Sequence, residues 1–201
     1  MKQLVVDLMV LIFAATDTTS KGLCSMFLYM TKHKDVTKKL QAELDEHVIP
    51  FINSETNLAD LLKSQEVLDK MDYFSYFVRE VIRIAPPLPA SVVYQNVSDE
   101  CITLDGDVTI RPGDHVAPCA LSIHYDPKQW KCPREFRPER FDPTNELFFR
   151  PSDDGENHQR NPQSFFAFGQ GIRSCPGKTF ALLELKVLTV YFLMHTNWKI
   201  E

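Results

Sequence analysis

The ten residues Phe168-Gly169-Gln170-Gly171-Ile172-Arg173-Ser174-Cys175-Pro176-Gly177 carry the densest chemistry in this 201-residue sequence. A cysteine just ahead of a helix start sits at the positive end of the helix dipole, which favours its thiolate. Pro176 suits the first helical position, where its missing N–H would be an orphan anyway. The amides of Gly177 and Lys178 are then placed to point back at the sulfur. Gly169, Gly171 and Gly177 let backbone approach a flat ligand closely. Arg173, two residues before the cysteine, is placed to pair with an acidic substituent, and Phe168 offers an aromatic face. A thiolate, a cation, an aromatic ring and three glycines are the parts a thiolate-ligated haem requires. Such a thiolate pushes electron density onto the iron and favours O–O cleavage. The plainer reading, a buried cysteine at a helix cap, leaves the rest of the segment unexplained.

Two other places combine reactive residue types. Glu80 and Arg83, three apart on a helix, share one face and touch, although most such pairs are solvated and contribute little. Asp17-Thr18 puts an acid beside a hydroxyl in mid-helix, where both compete for backbone bonds. That pair is either functional or a kink with a back-bonded threonine. The remaining cysteines, Cys24, Cys101, Cys119 and Cys132, bring the total to an odd five with irregular gaps and no CxxC. Neither a zinc ribbon nor a redox pair is indicated, and reduced thiols are favoured. These four read as small, partly buried residues. His124 reads as structural, and the other histidines show no ligand spacing.

These residues need elements to position them. A helix is predicted over about 3–31, a second over Asp35–Val48 with Leu40, Leu44 and Val48 on one face, and a short one over Leu58–Ser64 after a loop at Asn53–Asn57. Another, over Lys70–Ile84, stops at Pro86-Pro87, where the pre-proline restriction ends helices. Short strands follow at Val92–Tyr94, Ile102–Leu104, Val108–Ile110 and His115–Ala117, with turns at Asp105-Gly106 and Arg111–Asp114. Residues 127–168 read as irregular, and the polar insert Ser152–Asn161 as a mobile loop. Pro176 opens a last helix that runs to about His195. Twelve of the thirteen prolines fall between Pro86 and Pro176, so the chain is helical, then proline-punctuated, then helical again.

With 44% hydrophobic residues and 22 aromatics, the chain has the material for a core and is not disordered. A net charge of −5 with no basic stripe excludes nucleic acid as a partner. The start, MKQLVVDLMVLIFAAT, has the look of a signal peptide, but Asp7 interrupts its apolar run. The uninterrupted part, Leu8–Ala15, is far short of the roughly 20 residues of a membrane span. Apolar on nearly all sides, this stretch is expected to lie deep inside a protein.

The segment around Cys175 matches the cytochrome P450 signature FxxGxRxCxG at every fixed position, and the chain resembles that family over nearly all its length. The resemblance implies that Cys175 is the proximal ligand of the iron of haem b and that Arg173 contacts a haem propionate. Phe168, Gly171 and Gly177 complete the cofactor loop. Glu80-Val81-Ile82-Arg83 resembles the family's ExxR, and Pro138-Glu139-Arg140-Phe141 its PERF segment. The resemblance implies a network of Glu80, Arg83 and Arg140 that holds the cysteine loop without taking part in catalysis. Ala14-Ala15-Thr16-Asp17-Thr18-Thr19 resembles the distal-helix motif [AG]GxDTT, which makes Asp17 and Thr18 the catalytic candidates for proton delivery to dioxygen. Two departures stand out. Ala15 replaces the usual glycine, and Ala90–Tyr94 contains no arginine for the second propionate.

The fold so implied is mainly α (α+β), with small antiparallel β elements: residues 1–201 as the haem-proximal, C-terminal portion of the P450 domain, starting in the distal helix. The N-terminal half and the closing strands are expected to be absent. The implied activity is that of a haem-thiolate monooxygenase, inserting one atom of dioxygen into an apolar small molecule. Electrons would come from a reductase on the proximal face. A peroxide- or rearrangement-type member and a truncated chain that cannot retain haem stand as alternatives. The resemblance to the longer eukaryotic members implies a parent protein at the endoplasmic reticulum membrane, and the localisation of this chain is left open.

Overall fold

The computed structural model describes residues 2–51, 60, 65–90, 92–104 and 107–196. The chain is mainly helical: α1 (Lys2–Lys32), α2 (Lys34–His47), α3 (Gln65–Asp69), α4 (Asp72–Ile84), α5 (Ala120–His124) and α6 (Lys178–His195). Four short strands form two antiparallel pairs. β1 (Tyr94–Gln95) joins β4 (His115–Val116), and β2 (Ile102–Thr103) joins β3 (Thr109–Ile110). The expected loop at Asn53–Asn57, the expected turn at Asp105-Gly106 and all of the helix expected over Leu58–Ser64 except Asp60 lie outside the described residues.

The core is assembled from helix stripes. Met26 and Met30 of α1, Leu40 and Leu44 of α2, Phe74, Phe77 and Val81 of α4, and Leu185, Val187 and Val190 of α6 are buried together. Apolar residues three to four apart make each stripe. The α3–α4 junction is secured from both neighbours. Glu43 of α2 accepts from the amides of Tyr73 and Phe74, both at 2.8 Å, capping a helix whose own N-cap, Met71, offers no side-chain acceptor. From α6, the buried Lys186 ammonium donates to the carbonyls of Leu68 and Met71 and to Ser75 Oγ. Burial lowers the pKa of Lys186, and Glu43 opposes that shift.

The front of α1, expected to lie deep inside a protein, is not covered by the described part of this chain. Every residue from Lys2 to Thr16 is exposed, and burial begins at Thr19, Gly22, Met26 and Met30. The reason is geometric: α4 and α6 cover only the rear half of this long helix. By length and composition α1 is also apolar enough to cross a membrane, a test that core helices of soluble proteins pass too. At the α1–α6 crossing, Gly22 lies under Leu185. A Cβ on residue 22 would stand 3.4 and 3.5 Å from the Leu185 methyls and 3.9 Å from Pro87. That is ordinary contact, and helix interiors favour alanine over glycine by about 0.5–1 kcal/mol. Gly22→Ala is therefore expected to raise stability by up to about 1 kcal/mol, read as a higher urea midpoint at unchanged slope.

One further expectation is corrected. All five cysteines are exposed, rather than four being partly buried. The polar insert is tied to itself and to its surroundings. Arg150 pairs with His158 in a β-bridge, Asp154 accepts from Ser152, Glu156 and His158, and the Asn161 side chain accepts from the Gln163 amide.

Candidate cofactor site

The cysteine loop takes its shape from two glycines. Gly169 and Gly171 have φ of +66° and +69°, a left-handed backbone that side chains penalise. Between them they turn the chain so that the Ser174 amide bonds Gly171 O at 3.1 Å and the Cys175 amide bonds Phe168 O at 2.8 Å. The helix start lies two residues later than expected. Gly177 is the N-cap of α6, and Pro176 precedes it in a turn. The Lys178 amide consequently donates to Cys175 O at 3.4 Å rather than to the sulfur. A Cβ on Gly177 would stand 3.8 Å from Cys175 Sγ.

Cys175, Arg173, Ile172 and Phe180 are all exposed on this loop and the first turn of α6, with Phe168 half-buried behind them. Among the described residues, the Arg173 side chain has no hydrogen-bond or ion-pair partner. The donor set suits haem: an available thiol for iron, a free guanidinium for a carboxylate substituent, and apolar side chains for the macrocycle.

Behind the loop lies a buried charge network. Glu80, Arg83 and Arg140 are each 0% exposed, so their charges can be compensated only by one another and by backbone. Glu80 Oε2 accepts from Arg83 Nε at 2.7 Å. Its Oε1 accepts from Arg83 Nη2, Arg140 Nε and the Arg137 amide, each at 2.9 Å. The guanidiniums then spread outward. Arg83 donates to the carbonyls of His124, Pro133 and Glu135, and Arg140 to those of Lys131, Cys132 and Glu135. Cys132 sits at φ +44°, the one non-glycine residue with positive φ among those described.

Two further residues join this network: Arg160, which carried no mark in the sequence, and His124, which read there as structural. Arg160 donates to Leu147 O and to Arg140 O at 2.9 and 2.8 Å, and its guanidinium lies 4.3 Å from the Trp130 ring centroid. Burial and the neighbouring Arg140 bring its pKa down to about 10, leaving it charged at neutral pH. His124 is fully buried. Its Nδ1 lies 2.9 Å from Arg83 O, and its Nε2 accepts from the Phe166 amide at 2.9 Å.

On the opposite side, α1 passes close to α6. Thr19 Oγ1 donates to Glu184 Oε2 at 3.2 Å, six residues into α6 and about 9 Å along it from Lys178. Asp17 and Thr18 therefore sit near the end of α6 that follows the cysteine. The two side chains are not joined to each other. Thr18 Oγ1 donates to Ala14 O at 2.7 Å, and Asp17 takes the Lys21 ammonium at 2.6 Å.

A family model described as Cytochrome P450 matches residues 1–201. A probable cytochrome P450 4p2 of Drosophila melanogaster is 31% identical over 179 residues, covering 89% of this chain and 30% of that protein. Cytochrome P450 9e2 of Blattella germanica is 31% identical over 191 residues, 94% of this chain and 32% of that protein. Among solved structures, a retinoic acid-bound cyanobacterial CYP120A1 superposes with a TM-score of 0.75 at 25% identity. It covers 96% of this chain and 39% of its own. The chain belongs to the cytochrome P450 family, an enzyme family whose cofactor is haem b. It spans about a third of the length of the relatives cited here.

Proposed function

We propose that this chain is the haem-proximal portion of a monooxygenase that activates dioxygen and inserts one oxygen atom into an apolar organic substrate. The observation that carries the reading is the cysteine loop: an exposed Cys175 sulfur in a loop shaped by two left-handed glycines, with Arg173, unpartnered among the described residues, two residues away. When bound, haem supplies the iron-centred redox chemistry that activates dioxygen. Cys175 would hold the group through its thiolate. Arg173 binds a propionate, and Ile172 and Phe180 supply apolar cover that excludes water. Glu80, Arg83 and Arg140 fix the backbone behind the loop. Asp17 and Thr18 deliver protons to the distal side, for which Thr18 Oγ1 must leave Ala14 O and Asp17 must release Lys21. Electrons would come from a reductase on the proximal face, and the resemblance to longer eukaryotic members supports a parent enzyme at the endoplasmic reticulum membrane.

A second reading has an observation of its own. The apolar front half of α1, which would form part of the distal wall, is bare from Leu4 to Phe13. On that reading these 201 residues alone do not retain haem. One experiment separates the two: the chain is expressed with haem, reduced and exposed to carbon monoxide. The red-shifted band of a thiolate-ligated complex is expected under the first reading, and its absence favours the second. Cys175→Ser must abolish the band. Because Cys175 is exposed, that substitution should leave stability within about 0.5 kcal/mol.

A further inference from the structure

We infer that His124 is a positioning residue for Cys175, coupling the Glu80–Arg83 helix to the cysteine loop through two opposite hydrogen bonds on one imidazole. The inference rests on the proposed role of Cys175 and adds a residue outside the cysteine-loop, ExxR, PERF and distal-helix segments. A carbonyl lies at one ring nitrogen and an N–H at the other, so only one protonation state satisfies both. Nδ1–H donates to Arg83 O, and Nε2 accepts from the Phe166 amide, each at 2.9 Å. The same residue's carbonyl accepts Arg83 Nη1 at 2.8 Å, so Arg83 and His124 grip each other twice.

From Phe166 the path to the thiol is short. The Gly169 amide bonds Phe166 O at 3.1 Å, and Phe168 O takes the Cys175 amide at 2.8 Å. The ring is also clamped sideways. It stacks on Phe165 with centroids 5.5 Å apart, and Phe165 meets Phe141 of the Pro138–Phe141 turn edge-on at 5.4 Å. Residues 165–168 have no helix or strand ladder, so His124 supplies the Phe166 amide with the partner that regular structure would otherwise provide. Without it, the Phe166 amide loses its acceptor and the 165–169 backbone is freed to turn. The Cys175 sulfur then loses its fixed direction.

Amide hydrogen exchange on the haem-free chain tests this apart from haem binding or turnover. His124→Leu removes both bonds while filling much of the ring's volume. His124→Asn can offer one donor and one acceptor. In His124→Leu the Cys175 amide should exchange at least tenfold faster, with the α2 and α4 core amides unchanged. His124→Asn should recover most of that protection. A wild-type Cys175 rate in His124→Leu overturns the inference, as does a uniform loss across the core amides in both variants. Should His124→Leu fail to fold, the unmodified chain decides. Under low denaturant, Phe166 and Cys175 should exchange through one shared opening, and independent opening of Cys175 overturns the coupling. A chain that fails the carbon monoxide test while passing this one loses the claim that these 201 residues retain haem and leaves the coupling standing.

Discussion

Glu80→Gln is expected to lower stability by about 3–5 kcal/mol, a large share of the roughly 5–15 kcal/mol that holds a typical native protein folded. Glutamine keeps the shape of the side chain but removes the charge that compensates two guanidiniums, each 0% exposed. It also turns an NH2 group toward donors that need an acceptor. A large loss is the known outcome of breaking a buried ion pair from one side, since the remaining charge is stranded in low dielectric. Equilibrium urea unfolding provides the measurement, and a loss under 1 kcal/mol would show that the pair is hydrated in solution. Replacing the whole triad with apolar residues, often harmless elsewhere, should not rescue this chain. Arg83 and Arg140 also satisfy the carbonyls of Lys131, Cys132, Pro133, Glu135 and His124. An apolar replacement orphans those groups at about 1–3 kcal/mol for each one that water cannot reach.

Acid should weaken the fold through His124. Burial pushes its pKa from 6.5 down to about 4, so the folded chain keeps the imidazole neutral while the unfolded chain takes up a proton. The stabilisation is complete above about pH 6.5 and is lost as the pH falls toward 4. The full contribution is about 3 kcal/mol, from 1.36 kcal/mol per pH unit of difference. Glu43, whose pKa burial raises, has a pH dependence of the opposite sign, so the His124 share is best read by difference. The gap in stability between wild type and His124→Asn should shrink between pH 7 and pH 4. A gap that stays constant over that range would mean that His124 does not titrate with folding.

Residues that carry local chemistry were readable without coordinates. Glu80 and Arg83 meet because three-residue spacing aligns side chains on any helix. Gly169 and Gly171 stood out as places where backbone can approach a ligand, and the left-handed turn they make is a further use of the missing side chain. What stayed hidden was the partnership of charged groups with backbone. Arg160 and His124 bond to carbonyls and an amide 13 to 42 residues away, and main-chain groups leave no trace in residue type. The start of α6 was misplaced by two positions for a similar reason. A turn bond from the Lys178 amide to Cys175 O competes with the helix for the first residues. The exposure of the front of α1 was likewise beyond local pattern, because apolar periodicity reports what a helix needs to bury and not whether a neighbour reaches it. The back-bonded Thr18, the plain alternative for a mid-helix acid and hydroxyl, is the conformation observed.

The bare front of α1 also governs how the molecule behaves in a test tube. Residues 2–16 present an apolar rod about 22 Å long to water. Solubility is therefore limited by colloidal association between folded chains, at concentrations where unfolding plays no part. Kosmotropic salts, which stabilise most folded proteins by favouring burial, should precipitate this chain early. A mild detergent should keep it dispersed without altering the packed half of the molecule.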